Sequence, residues 1–186
     1  GRGLRLAALA VAALVLALPA LGDTWPYASV IAQDMLIAVV FAVSLHFMMG
    51  LGGMVSFGHA AYFGLGAYGV ALAFKSLGWG MLASLAAAPV LAGLAALAFG
   101  CFCVRLAGVY LAMLTLAFGQ IVWSVVYQWD AVTGGSNGMI GVWPEPWLEG
   151  AAWYYVVAVM AFAAVVLVRR VAFAPFGMAL RAVRDS

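Results

Sequence analysis

The fold is decided by residues 52–68, which read GGMVSFGHAAYFGLGAY. This stretch is apolar enough to lie in a membrane, but its glycines make a single uninterrupted helix unfavourable. In lipid every backbone N–H and C=O must be satisfied within the protein, so an interrupted helix is tolerated only inside protein or beside a water-filled cavity. Many transporters build their pathway from discontinuous helices of this kind. The stretch therefore predicts transport, although two closely packed helices would use the same residues.

The composition predicts an integral membrane protein. The chain has 186 residues, of which 68% are hydrophobic and 8% charged, and its mean hydropathy is +1.16. A soluble domain carries roughly 25% charged residues, so we expect a single transmembrane domain over residues 1–186. The formal net charge of +2 forms no basic stripe and gives no reason to expect nucleic-acid binding. Two cysteines, Cys101 and Cys103, make neither a disulfide framework nor a zinc site, and we expect them to be buried as small apolar residues.

Six apolar runs approach the roughly 20 residues that a helix needs to cross a bilayer. They are Leu6–Leu21, Val30–Met49, Ser56–Phe74, Met81–Val104, Val109–Tyr127 and Trp153–Val168. We therefore predict an all-α, polytopic bundle of about six spans, in which the third is short, glycine-rich and broken. The first run also resembles a secretory signal peptide. A retained helix is favoured, because a small-residue cleavage site after the run is poor.

The charges predict the orientation of these spans. Placing the N-terminus in the cytoplasm puts seven arginines inside, namely Arg2, Arg5, Arg105, Arg169, Arg170, Arg181 and Arg184. The outer side then holds Lys75 with Asp23, Asp130, Glu145 and Glu149. Because Lys and Arg in short loops favour the cytoplasm, we expect the N-terminus and the C-terminal segment, residues 169–186, to be cytoplasmic.

Within the third span, Ser56 is expected to cap a helix that begins near Phe57. Small residues then repeat at four-residue spacing, a pattern that lets membrane helices approach closely. Tight packing and a pathway-lining role both remain open for this span. The residues assigned to one or the other are Gly53, Ser56, Gly58, His59 and Gly64.

Three titratable residues lie in or near the spans. His46 and His59, on successive spans, have the residue type needed to hold a haem, but no acidic partner lies nearby in the sequence to support that role. A packing role is favoured for both. Asp34 is expected in the first turn or so of its helix, where the helix dipole favours an acid.

Two further segments have a recognisable chemistry. The outer loop contains the sequence TGGSNG, residues 133–138, in which Gly and Asn are expected to supply positive φ angles. Its length indicates a structured loop on which a partner docks. Near the C-terminus, Pro175 is suited to the first turn of a helix. Phe176, Leu180 and Val183 would share one face of that helix, which is either an interfacial anchor or a docking element for a cytoplasmic partner.

In series, these segments resemble the membrane permease subunits of ABC importers for branched-chain amino acids, the leucine/isoleucine/valine type. The resemblance covers the chain from about Val30 onward. It is carried by Gly53–Tyr68, by Tyr110–Gly119 leading into Trp129–Gly138, and by Pro175–Asp185. It differs from the family pattern at His46, Ala107, Gln120 and Met178, where the family often has Asn, Arg, Glu and a basic residue.

The resemblance implies a transport subunit rather than an enzyme, without a cofactor or a metal, in a bacterial inner membrane. Its partners would be a second permease, two cytoplasmic ATPases that hydrolyse ATP, and a periplasmic binding protein. The later spans of such a permease would be missing from this chain. Residues implied in ATPase coupling are Pro175, Phe176, Gly177, Arg181 and Arg184. Those implied in docking the binding protein are Gly134, Gly135, Ser136, Asn137 and Gly138.

Alternatives stay open at this point. Permeases for urea or short amides share much of the same pattern. From other classes, a small haem-carrying membrane redox protein and a non-transporting membrane anchor also fit the composition.

Overall fold

The computed structural model describes residues 26–103 and 105–185, together with Ala17. Most of the first predicted run, Leu6–Leu21, therefore lies outside the described residues. Within the described ranges all regular structure is helical, which confirms the all-α prediction. The longer helices are α1 (Pro26–His46), α2 (His59–Leu77), α4 (Ala87–Cys103), α5 (Gly108–Gln128), α7 (Ala151–Phe173) and α8 (Pro175–Asp185). The short elements are a π-helix (Phe47–Leu51), α3 (Met81–Leu85), α6 (Asp130–Thr133) and two 3₁₀ turns (Gly135–Asn137 and Pro146–Leu148).

Five helical stretches are long and apolar enough to cross a membrane, and they correspond to the second to sixth predicted runs. They are Tyr27–Leu51, His59–Leu77, Met81–Cys103, Gly108–Gln128 and Ala151–Phe173. In the most apolar part of any of them, at most 17% of the residues are buried. Their apolar side chains therefore face outward, as expected of helices that meet lipid or further membrane helices.

The described chain divides into two compact units, and the first comprises the described residues up to Phe47 together with Pro146–Ala182. In this unit α1 packs along α7. The contact has a small core in which Ala32 and Ala158 lie beside the fully buried Tyr154. Small residues at the contact allow the two helices to come close, which is how membrane helices associate without a hydrophobic driving force.

The second unit comprises the described residues of Met48–Glu145 together with residues 183–185. Here α2 packs chiefly against α4. Gly66 and Gly69 make this approach possible, because a Cβ on Gly69 would lie 3.2 Å from the Cβ of Leu91 and one on Gly66 would lie 3.7 Å from that of Ala88. Aromatic rings join α4 to α5, where Phe99 stacks on Phe118 with centroids 4.4 Å apart.

Two sequence predictions about single residues were wrong. α1 begins at Pro26, with no acid in its first turn, so Asp34 lies about 12 Å along the helix and is exposed. Cys101 is exposed and Cys103 is only half-buried. Both lie on α4, in which no residue is fully buried although the helix is apolar all round. The apolar run was identified correctly, but the sequence does not show which face of α4 is packed against other helices.

Candidate functional site

The glycine segment, defined here as residues 50–58, interrupts the helical backbone between α1 and α2. α1 is followed directly by the π-helix Phe47–Leu51. Turns of π-helix are frequent at functional sites. At Gly53 the backbone takes a φ of +64°, which favours glycine. The chain is then irregular until α2 begins at His59. An interruption of the helical backbone is therefore present within the stretch 52–68, but it lies before the third span, and α2 itself runs unbroken from His59 to Leu77.

The C-terminal end of the glycine segment is fixed to α5 by Thr115. The Phe57 N–H donates to Thr115 Oγ1 at 3.1 Å, and that hydroxyl donates to the Ala112 carbonyl at 2.9 Å. A Cβ on Gly58 would collide with the Thr115 carbonyl, and Gly119 lies directly against Gly58. Gly58 therefore has a packing role. Sequence reasoning did not single out Thr115, although it lies within the Tyr110–Gly119 motif.

Beside this contact, α2 and α5 enclose a half-open cleft of about 380 Å³. Its lining residues are Phe57, Gly58, Ala60, Ala61, Gly64, Tyr68, Leu116, Gly119, Gln120, Val122, Trp123, Val126, Tyr127 and Gly135. The lining is mainly apolar, and the lining residues that carry polar side-chain groups are Tyr68, Gln120, Trp123 and Tyr127. A Cβ on Gly64 would meet no atom of the described part of the chain within 4 Å. Gly64 thus leaves space in the cleft, whereas Gly58 closes a helix contact.

The prediction that Ser56 caps α2 was wrong. The helix begins two residues later than expected, Gly58 takes the N-cap position, and no side chain caps the helix. Ser56 is buried, and its hydroxyl has no hydrogen-bond partner among the residues that the structure describes. Ser56 therefore lies within the glycine segment and does not cap the start of α2.

The two histidines lie in different units. His46 ends α1 and is exposed, while His59 begins α2 and is half-buried. Among the described residues, no group of three His, Cys, Asp or Glu side chains could hold a metal ion. His59 adjoins Gly58 in the chain and therefore belongs to the same region as the cleft.

The outer loop folds back on the end of α5. The Gly135 N–H donates to Thr133 Oγ1 at 3.3 Å, and that hydroxyl lies 2.9 Å from the Trp129 carbonyl. Gly135 is buried and also lines the cleft, while Ser136 and Asn137 are exposed. Within the described residues, positive φ angles occur only at glycines, so the expectation that Asn137 supplies one was wrong. Farther along the loop, Glu145 accepts a 2.9 Å hydrogen bond from the Met81 N–H at the start of α3.

The predicted C-terminal helix is confirmed as α8, which begins at Pro175. Gly177 is buried. A Cβ at this position would collide with the carbonyls of Val171 and Ala172, so the packing here requires glycine. The Arg181 guanidinium lies 5.8 Å from the centre of the Phe173 ring. Phe176 is 60% exposed, so most of this apolar side chain is not packed against the rest of the described chain.

Arg184, at the end of α8, groups with the second unit. Its Nη1 donates a 2.5 Å hydrogen bond to the Gly50 carbonyl, and its side-chain carbons lie over Gly53. The sequence placed Gly53 and Arg184 in separate functional groups, and the structure brings them together.

The comparison with protein families decides the identity. Residues 27–186 match the family described as the branched-chain amino acid transport system, permease component. The chain belongs to this family. The match includes the glycine segment, the cleft, the outer loop and α8, and it confirms the resemblance inferred from the sequence.

Two curated relatives support the same family. The chain is 33% identical over 141 residues to the high-affinity branched-chain amino acid transport system permease protein LivM of Escherichia coli K12. The LivM protein of Salmonella typhimurium LT2 matches with the same identity and length. Each match covers 73% of this chain and 33% of the relative, so the matched part is about a third of the relatives' length. No solved structure matches this chain significantly.

Proposed function

We propose that this chain is part of a permease subunit that imports branched-chain amino acids across the bacterial inner membrane by alternating access, driven by ATP. The observation that carries the proposal is the cleft between α2 and α5, in a chain of the branched-chain amino acid permease family. A pathway beside a discontinuous helix is how many membrane transporters hold their substrates.

The chemistry of the cleft supports an aliphatic amino acid as the substrate. Leu116, Val122 and Trp123 offer an apolar wall to a branched side chain. The first turn of α2 also lines the cleft, at Ala60 and Ala61. Backbone N–H groups at a helix N-terminus favour an anion, which suits the carboxylate of an amino acid. Urea has no apolar side chain and gains little from such a wall.

The partners in this proposal are a second permease, two cytoplasmic ATPases and a periplasmic binding protein. The ATPases hydrolyse the ATP, and the permease is a transport subunit rather than an enzyme. α8 is the segment that docks on an ATPase, with Pro175, Phe176 and Arg181 at the contact, while Gly177 lets the start of α8 pack on the end of α7. Its strongly amphipathic sequence and the exposed Phe176 support this role.

On the opposite side of the membrane, the loop Gly134–Gly138 receives the binding protein. Ser136 and Asn137 are exposed there, while Gly135 reaches the cleft. This arrangement offers a short route from a docked binding protein to the pathway. The hydrogen bond from Arg184 to Gly50 supports the proposed orientation, because it puts the end of α8 beside the start of the glycine segment, and that orientation places both at the cytoplasmic side.

The test is uptake of labelled leucine, isoleucine, valine and urea into vesicles. The vesicles carry the full-length permease with its neighbouring ATPases, second permease and binding protein. We expect uptake of at least one branched-chain amino acid that requires ATP. Uptake of urea alone would show that the substrate belongs to the urea and short-amide class. The absence of uptake of any solute would support a non-transporting membrane anchor.

A further inference from the structure

One contact joins the end of α8 to the glycine segment. The Arg184 guanidinium donates from Nη1 to the Gly50 carbonyl at 2.5 Å. Its side-chain carbons cover Gly53 so closely that a Cβ there would lie 2.5 Å from Arg184 Cγ and 3.1 Å from Cδ. The two residues are 134 positions apart in the chain. The contact therefore depends on the tertiary fold and not on local sequence.

The chemistry of both partners favours this contact. Gly50 lies in the last turn before the break, where backbone carbonyls have no partner further along a helix. A cation is stabilised at such a helix end, and a hydrogen bond from a guanidinium is stronger than one between neutral groups. Gly53 leaves room for the arginine stem because it has no side chain. Arg184 thus holds the N-terminal end of the glycine segment.

The other end of the same segment is held by α5. Phe57 donates to Thr115 Oγ1, and Gly58 packs on the Thr115 carbonyl. Phe57 and Gly58 are also part of the cleft lining. A short irregular stretch of backbone therefore joins the Arg184 contact to the wall of the cleft.

We propose that Arg184 is a positioning residue that transmits movement of α8 to the cleft through the glycine segment. The inference rests on the proposed function and adds a specific link to it. Energetic coupling travels through packed and hydrogen-bonded contacts of this kind. Arg181 lies one turn earlier on α8 and faces Phe173 instead, so it is a matched control on the same helix.

The first experiment compares Arg184→Ala with Arg181→Ala in the full-length permease assembled with its partners. ATP hydrolysis, uptake and the amount of copurified ATPase are measured in the same vesicles. For Arg184→Ala we expect assembly and hydrolysis within about twofold of the parent, with uptake at least about tenfold lower, since a charged hydrogen bond is lost. For Arg181→Ala we expect hydrolysis and uptake to fall together. Unchanged uptake in Arg184→Ala, or loss of the ATPase, would overturn the link.

A second experiment replaces the contact with a covalent one. A Cβ at position 53 lies 3.5 Å from Arg184 Cβ, a separation compatible with a disulfide. Gly53→Cys with Arg184→Cys is built in a parent with its other cysteines removed, including Cys101 and Cys103. We expect the oxidised protein to recover uptake to within about threefold of that parent and the reduced protein to stay uncoupled.

Two results of this experiment contradict the link. Failure of the disulfide to form would show that the contact is absent, and lost uptake in the oxidised protein would show that the two segments do not move together. Absence of uptake by the parent would instead contradict the proposed function. The yield of the disulfide would still decide whether Arg184 and the glycine segment meet.

Discussion

The glycine segment and the outer loop are both rich in glycine, but their glycines do different things. In the glycine segment Gly58 has a negative φ of −92° and is needed because α5 lies where a side chain would be. In the outer loop Gly134, Gly135 and Gly138 all have positive φ angles, so the conformation itself selects glycine. Gly53 in the glycine segment also has a positive φ, of +64°, so the contrast is between Gly58, which is required by the close approach of α5, and the loop glycines, which are required by the backbone conformation.

Gly64 adds a third case to this comparison. It lies in α2 with ordinary helical neighbours, and a Cβ would meet nothing within 4 Å. Neither a turn nor a close contact in the described residues requires glycine there. Because glycine has no side chain, Gly64 leaves space in the cleft. The proposed pathway therefore depends on this position.

The largest effect is expected where a side chain would meet backbone. Gly58→Val places two methyl groups against the Thr115 carbonyl, which cannot move without shifting α5. Overpacking of this kind costs about 1–3 kcal/mol, occasionally more. We expect a lower melting temperature in detergent and little assembled complex. Gly64→Ala is the control, and equal losses in both variants would contradict the packing role of Gly58.

A somewhat smaller effect is expected at Gly135, where φ is +52° and a Cβ would collide with the Asp130 carboxylate. The positive φ alone costs an alanine about 1–2 kcal/mol. We expect Gly135→Ala to weaken binding-protein-stimulated ATP hydrolysis while the spans stay assembled. Gly141→Ala is the matched control, because Gly141 also has a positive φ but open space around it. If both variants behave alike, the strained conformation and not the loop contact explains the loss.

The smallest of the three effects is expected at the Phe57–Thr115 hydrogen bond. Thr115→Val keeps the shape but leaves the Phe57 N–H without its acceptor. Because this hydrogen bond is only partly buried, the loss is expected to fall below the roughly 1–3 kcal/mol of a fully buried unpaired donor. Thr115→Ser keeps the hydroxyl and is the control. We expect reduced thermal stability in Thr115→Val but not in Thr115→Ser. Equal stability of the two variants would show that this hydrogen bond does not hold the segment.

Much of the architecture could be predicted from the sequence. The five described spans follow from hydropathy, because a bilayer requires long apolar helices. The break before α2 follows from glycine density, and α8 follows from Pro175 and its amphipathic pattern. The errors came at helix starts. The predicted starts of α1 and α2 were misplaced, so the positions of Asp34 and Ser56 within or before their helices were wrong.

The cleft and the Arg184 contact could not be predicted. Each joins residues that are far apart in the chain, such as Phe57 with Thr115 and Gly50 with Arg184. Periodicity shows which face of a helix carries small or apolar residues, but not which other helix packs on that face. Gly58 and Gly64 therefore looked equivalent in sequence, and only their surroundings separate packing from an open cleft.

The most direct test of the pathway is to fill the cleft without disturbing a contact. Gly64→Leu does this, and Gly93→Leu is the control, since a Cβ on Gly93 in α4 also meets nothing within 4 Å and Gly93 does not line the cleft. Both are made in the full-length permease, and leucine uptake is normalised to assembled complex. We predict uptake lower by at least about tenfold in Gly64→Leu, a change of about 1.4 kcal/mol or more, and near the parent in Gly93→Leu. Parental uptake by assembled Gly64→Leu would contradict the claim that this cleft is the pathway.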